Sequence, residues 1–234
     1  MNSIASSLQD VPVLLRGEVR PIRGWIEDVR GARLGFCLLV IVTGTALFGA
    51  AVGSWRDPQQ AIYTAIKFPL IVLLTTLGTG LLNAMFAPLL GLSVSLRQSL
   101  LAVLLSFTIA AAILGAASPL IWFLVWNTPP LVTGARAPVS AHSLLLVSQT
   151  AAIAFAGIAA NLRLLQLLRE LSRRAVASRV LFAWLSVNLL LGSQLAWILR
   201  PFVGSPSLPV EFLRRDALAG SFYEAIFNAV KHLF

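Results

Sequence analysis

The chain is poor in the residues on which most enzymes and secreted domains are built. One cysteine, Cys37, stands among 234 residues. That excludes an internal disulfide, a CxxC pair and a cysteine zinc cluster. The two histidines, His142 and His232, form no HExxH motif, and the sequence contains neither GxSxG nor an acidic metal-binding cluster. Charge is scarce as well: 12% of residues are Asp, Glu, Lys or Arg, against about 25% in an ordinary soluble domain. Nine acidic residues face 18 Lys and Arg, for a net charge of +9. None of the nine lies near the middle of a long apolar run, where coupled transporters and proton relays keep their ionisable groups. The residues therefore nominate no catalytic group, no cofactor and no metal ligand, and an enzyme is not expected.

What fills the chain is apolar. Hydrophobic residues make up 58% of it, and the mean hydropathy is +0.85. A water-soluble core of this length could not cover so much apolar surface. Five runs carry the excess, at about 34–53, 68–92, 99–126, 141–160 and 180–199. A polar head, 1–33, precedes them, and a Pro-rich tail, 201–234, follows. Each run is long enough to cross a hydrocarbon layer about 30 Å thick as a helix. The first is too long for a signal peptide and has no small-residue cleavage site after it, so it is expected to remain as an anchor. The expected fold is all-α: five transmembrane helices and a short C-terminal amphipathic helix on the interface, begun by the capping pattern Ser221-Phe222-Tyr223-Glu224.

Local signals refine this expectation. Thr45, Gly49 and Gly53 share one small helical face, as do Ala152, Ala156 and Ala160, and such faces admit close neighbours. Asp57-Pro58-Gln59-Gln60 reads as a helix start with Gln60 in the capping-box position. A short surface helix to Lys67 and a bend before Pro69 are expected. Pro88 should kink the far end of the second span, and Ser118-Pro119 should interrupt the third. Trp184 and Trp197, near the two ends of the last run, suit a lipid–water boundary.

Three sets of residues are candidates for function. Asn83, Gln149, Asn188 and Gln194, with Ser106, Thr75, Thr76 and Thr79, are the polar groups at mid-span, and either join helices or line a path. Arg200, Pro201, Phe202 and Gly204 form a stiff tail that either docks a partner or parks the last helix. Arg169, Arg173, Arg174 and Arg179 suit anionic lipid headgroups or the ordinary basic flank of a cytoplasmic loop. A lipid-modifying enzyme would instead need a polar cluster at a span end, built from Lys67, His142 or Arg200. Eleven Lys and Arg residues lie on the side of the head and seven on the side of the tail. The positive-inside rule then places the N-terminus in the cytoplasm and the C-terminus outside. The basic charge flanks apolar runs, so membrane lipid explains it better than nucleic acid.

The stretch Gln194-Leu195-Ala196-Trp197-Ile198-Leu199-Arg200-Pro201-Phe202-Val203-Gly204, followed by Pro209 and Phe212-Leu213-Arg214, resembles a group of uncharacterised bacterial five-span membrane proteins. So does the lead-in Gln60-Ala61-Ile62-Tyr63-Thr64-Ala65-Ile66-Lys67-Phe68-Pro69. The resemblance covers roughly residues 30–225. In architecture the chain also resembles the Yip1-like membrane proteins. The acidic Asp-Leu-Tyr-Gly-Pro motif of the eukaryotic heads is absent, so small-GTPase binding is not implied. The resemblance implies a multi-pass protein of the bacterial inner membrane and transfers no activity. The expectation is a membrane-embedded scaffold that contacts lipid, another membrane protein or a second copy of itself. The alternative is a small permease or channel subunit.

Overall fold

A computed structural model describes residues 31–129, 139–204 and 209–224. The head therefore lies almost wholly outside the described residues, as does the tail helix beyond residue 224. Five long helices carry the fold: α1 Gly31–Gly53, α2 Pro58–Leu89, α3 Leu96–Trp126, α4 Val139–Leu171 and α5 Arg174–Leu199. All five contain stretches long and apolar enough to cross a membrane. No strand occurs among the described residues.

The bundle is organised around α1, which packs on both α2 and α3, while α5 packs on α2 and α4 on α3. Small residues set how close these helices come. A Cβ on Gly44 would overlap the backbone carbonyl of Ala111 in α3, and one on Gly115 would lie 2.9 Å from Gly44 Cα. On the next face of α1, a Cβ on Gly53 would lie 2.6 Å from the Gln60 carbonyl oxygen of α2. The expected Thr45–Gly49–Gly53 face is therefore the α2 contact, and Gly44 adds a tighter one to α3. Ala156 and Ala160, on the expected small face of α4, are buried too.

Two apolar cores occupy the two ends of the bundle. One joins Phe36, Cys37 and Ile41 to Leu101–Leu105, Leu164, Leu168, Val180 and Trp184. The other joins Phe48, Val52, Trp55 and Phe68 to Leu114, Ile121, Val125, Leu145 and Val203. Buried threonines lie among them, and most of their hydroxyls are used within their own helices. Thr45 donates to Ile41 O at 2.6 Å, Thr79 to Thr75 O at 2.6 Å and Thr108 to Leu104 O at 2.8 Å. Large apolar side chains meanwhile point outward from every helix, among them Leu47, Leu77, Phe123, Phe155 and Phe182. Large apolar side chains exposed on every helix, around an interior that also buries polar groups, suit a hydrocarbon solvent better than water.

Five local expectations are corrected. α2 runs unbroken through Pro69 instead of bending there, so no separate helix ends at Lys67. Its first three turns are held by contacts to the distant tail, which outweigh the local preference of the residue before proline. Pro88 lies inside α2, but the helix stops one residue later, at Leu89. α3 likewise continues through Pro119; Ser118 Oγ donates to Leu114 O at 3.1 Å beside the missing amide. α3 also begins earlier than expected, at Leu96, because Ser95 and Gln98 form a reciprocal capping box. Trp184 is 1% exposed and packs in the core, not at a boundary.

The close approach of α1 to α3 makes a direct prediction. Gly44→Ala must push the helices apart and should cost about 1–3 kcal/mol, lowering the melting temperature in mild detergent by several degrees. Gly157→Ala, where a Cβ meets nothing within 4 Å, should leave it unchanged. Equal melting of Gly44→Ala and wild type would contradict the packing.

Candidate functional site

The polar side chains of α2 that fall on one face, Gln60, Thr64 and Lys67, recur at i, i+4 and i+7 and are all fully buried. What buries them is the segment leaving α5. α2 and α5 run antiparallel, since a Cβ on Gly78 would meet Leu191 and one on Gly192 would meet Thr75. The start of α2 therefore lies beside residues 200–204.

This segment carries backbone carbonyls that no helix serves, and α2 supplies the donors. Gln60 Nε2 donates to Pro201 O and Phe202 O, each at 3.0 Å, and contacts Thr64 Oγ1 at 3.2 Å. Thr64 Oγ1 reaches Phe202 O at 3.0 Å. Lys67 Nζ donates to Pro201 O at 3.0 Å and lies 5.2 Å from the centre of the Phe212 ring. A buried ammonium is costly unless it is hydrogen-bonded or faces a π-system. Lys67 has both, and no ion pair with a described carboxylate. From α4, His142 Nε2 lies 3.2 Å from Gly204 O, a contact that makes Nε2 the protonated nitrogen. Its ring leans on Trp55 with centroids 5.8 Å apart, and Trp55 Nε1 donates to Pro129 O.

Apolar packing closes the same latch. Phe202 meets Phe68 edge-on at 5.3 Å, and Phe68 meets Phe48 at 5.5 Å. Val203 is 2% exposed. Gly204 adopts φ +86°, and a Cβ there would lie 2.8 Å from Arg56 Cγ, so both backbone and space require glycine. Arg200 stacks over Trp197 at 3.7 Å, donates to Trp197 O at 2.8 Å and pairs with Asp216 at 3.3 Å. The Arg200–Pro201 peptide is cis.

The tail then turns back along α5. Trp197 Nε1 donates to Ala219 O at 3.5 Å, Phe222 N to Gln194 Oε1 at 3.3 Å, and Tyr223 Oη lies 2.6 Å from Ser193 Oγ. Residues 222–224 form a helical turn capped by Ser221 Oγ, which accepts from Glu224 N. The described start of the tail helix thus docks on α5.

The remaining sequence candidates are spread along the bundle. Asn83 is fully buried on α2 with both side-chain polar atoms unpaired, and the Asn188 and Gln149 side-chain oxygens are also unpaired. Asn83 lies on α2, Asn188 on α5, Gln149 on α4, and Gln194 on the tail side of α5. Among the described residues no hydrogen bond joins any two of the four. Arg169, Arg173, Arg174 and Arg179 cluster around the α4–α5 junction, at the opposite end of the bundle from the latch. No group of three or more His, Cys, Asp or Glu among the described residues is placed to hold a metal ion.

The sequence pointed to the tail and to Lys67 and His142, but not to their common contact. Gln60 reads locally as a capping residue; its amide instead spans 141 positions to Pro201. The available signal was the polar i, i+4, i+7 stripe leading into an apolar helix.

Comparison with protein families, with curated proteins and with solved structures finds no match.

Removing a latch donor should loosen the tail. In a Cys37→Ser chain, a cysteine replacing buried Val203 should react slowly with a soluble maleimide. Adding Gln60→Ala or Lys67→Met should cost about 1–2 kcal/mol locally and speed the reaction about 5- to 30-fold. An unchanged rate would show that these donors do not hold the segment.

Proposed function

We propose that the protein is an integral membrane scaffold without a catalytic site, working through contact with lipid and with another membrane protein or a second copy of itself. The observation that carries this reading is the fate of the polar groups at the tail end. Lys67, Gln60, Thr64 and His142, the side chains best suited to chemistry, are all engaged with the chain's own backbone carbonyls. They hold a segment in place, and among the described residues none of the four forms a nucleophile–base pair. The buried hydroxyls of Thr45, Thr76, Thr79 and Thr108 likewise turn to carbonyls of their own helices, which supports packing over conduction.

The proposed location is the bacterial inner membrane, with the N-terminus in the cytoplasm, the C-terminus outside and the 169–179 arginines facing anionic headgroups of the cytoplasmic leaflet. Membership of the uncharacterised five-span group, Yip1-like in architecture, belongs to the same proposal. The two stretches that carry that resemblance, 60–69 and 194–204, are the two that meet in the latch.

One observation favours the second reading, a small permease or channel subunit. Thr75, Asn83, Trp184 and Asn188 on α2 and α5 all hold buried polar atoms without a partner, and such atoms call for a water or a ligand. Single cysteines at 83, 149, 188 and 194 in a Cys37→Ser chain separate the two readings. The scaffold predicts that a membrane-impermeant thiol reagent leaves all four unmodified in sealed vesicles and in solubilised protein. Modification of 83 and 188 together would establish a water-filled path and sink the scaffold.

A further inference from the structure

A cleft of about 220 Å³ opens where the tail turns away from the latch, lined by Pro201, Pro209, Glu211, Arg214, Arg215 and Asp216. Its charge is unbalanced. Asp216 is paired with Arg200 at 3.3 Å. Arg214 and Arg215 make no ion pair with any described residue. Glu211 is then the one wall carboxylate without a partner cation among the described residues. Lys67 lies behind the wall, bonded to the Pro201 carbonyl. Two guanidiniums unpaired among the described residues, beside a buried ammonium, favour an anion between them, and guanidiniums match the oxygens of a phosphate group. The neighbouring surface is apolar: Leu213, Leu218 and Phe222 point outward from the same tail, Leu218 with 82% of its surface exposed. The cleft sits just beyond the end of α5, beside Trp197 and Arg200, where a span meets headgroups.

We propose that this cleft binds the phosphodiester headgroup of an anionic phospholipid, with Arg214 and Arg215 as its ligands and Leu213 and Leu218 against its acyl chains. A phosphodiester carries one negative charge and tolerates Glu211 on the same wall better than a doubly charged phosphomonoester would. The site lies at the opposite end of the bundle from the 169–179 arginines. The proposal rests on the reading of the chain as a lipid-contacting membrane protein.

Native mass spectrometry of the full chain in mild detergent, titrated with phosphatidylglycerol or phosphatidylcholine, tests it. Wild type should retain one phosphatidylglycerol that R214Q/R215Q binds about tenfold more weakly or worse, while R97Q, at an exposed arginine at the start of α3, leaves that binding unchanged. R215Q alone changes an exposed side chain and keeps the fold; it should weaken binding severalfold, so the test survives a misfolded double variant. Equal binding of phosphatidylglycerol by wild type and R215Q, or equal binding of phosphatidylcholine, would overturn the proposal. So would displacement of the lipid by an equal concentration of glycerol phosphate, which would make the ligand a soluble phosphate. Lipid retention and thiol reactivity at 83 and 188 are separate readouts, so this site and the scaffold reading can fail independently.

Discussion

Backbone carbonyls that leave a helix need donors, and where water is scarce only the protein can supply them. Residues 201, 202 and 204 present such carbonyls, and Gln60, Thr64, Lys67 and His142 answer them from α2 and α4. An unserved buried carbonyl costs roughly 1–3 kcal/mol, so a few such contacts rival the net stability of a whole domain, about 5–15 kcal/mol. The end of the chain is therefore part of the bundle. It joins α2, α4 and α5, and so ties α2 to α4, which pack mainly on other helices.

The same constraint explains why one turn of α2 holds a fully buried lysine. A carbonyl and an aromatic face stabilise the ammonium without a carboxylate, and the aromatic face, Phe212, comes from the tail itself. Tyr63 closes on the same ring at 5.4 Å. The latch thus has a polar layer, Gln60–Thr64–Lys67, with aromatic contacts on both sides: Phe48–Phe68–Phe202 on one and Tyr63–Phe212 on the other. Gly204 fixes the exit of the segment by leaving room for Arg56. At the centre of the bundle, Gly44 and Gly115 bring α1 against α3, and Gly53 brings it against α2. Geometry at both places is set by what a side chain would obstruct.

Much of this could be read from the sequence, because its strongest signals are long and local. Five uncharged runs fixed the number and order of the helices, and the Asp57 cap marked the start of α2, where its carboxylate accepts from Gln59 N at 2.7 Å. The small faces at 45–53 and 152–160 were legible because a helix repeats every three to four residues. What could not be read depends on partners far along the chain. Pro69 and Pro119 signal a break by local rules, yet α2 runs on where the tail packs against its first turns, and α3 runs on with the Ser118 hydroxyl on Leu114 O. Trp184 looks like a boundary residue by its place in a run, but it is buried in the apolar core that also holds Val180, Leu168 and Leu104. The Gln60–Pro201 bond crosses 141 positions, and nothing at either position names the other.

The central claim is that residues 201–204 and Phe212 rest against the first turns of α2. The most direct measurement is short-range cross-linking of cysteines placed at Tyr63 and Phe212 in the Cys37→Ser chain. The account predicts rapid, nearly complete cross-linking within one chain by a short bifunctional thiol reagent, and its loss when Gln60→Ala and Lys67→Met are added. Independent labelling of the two cysteines without a cross-link in the otherwise intact protein would contradict it.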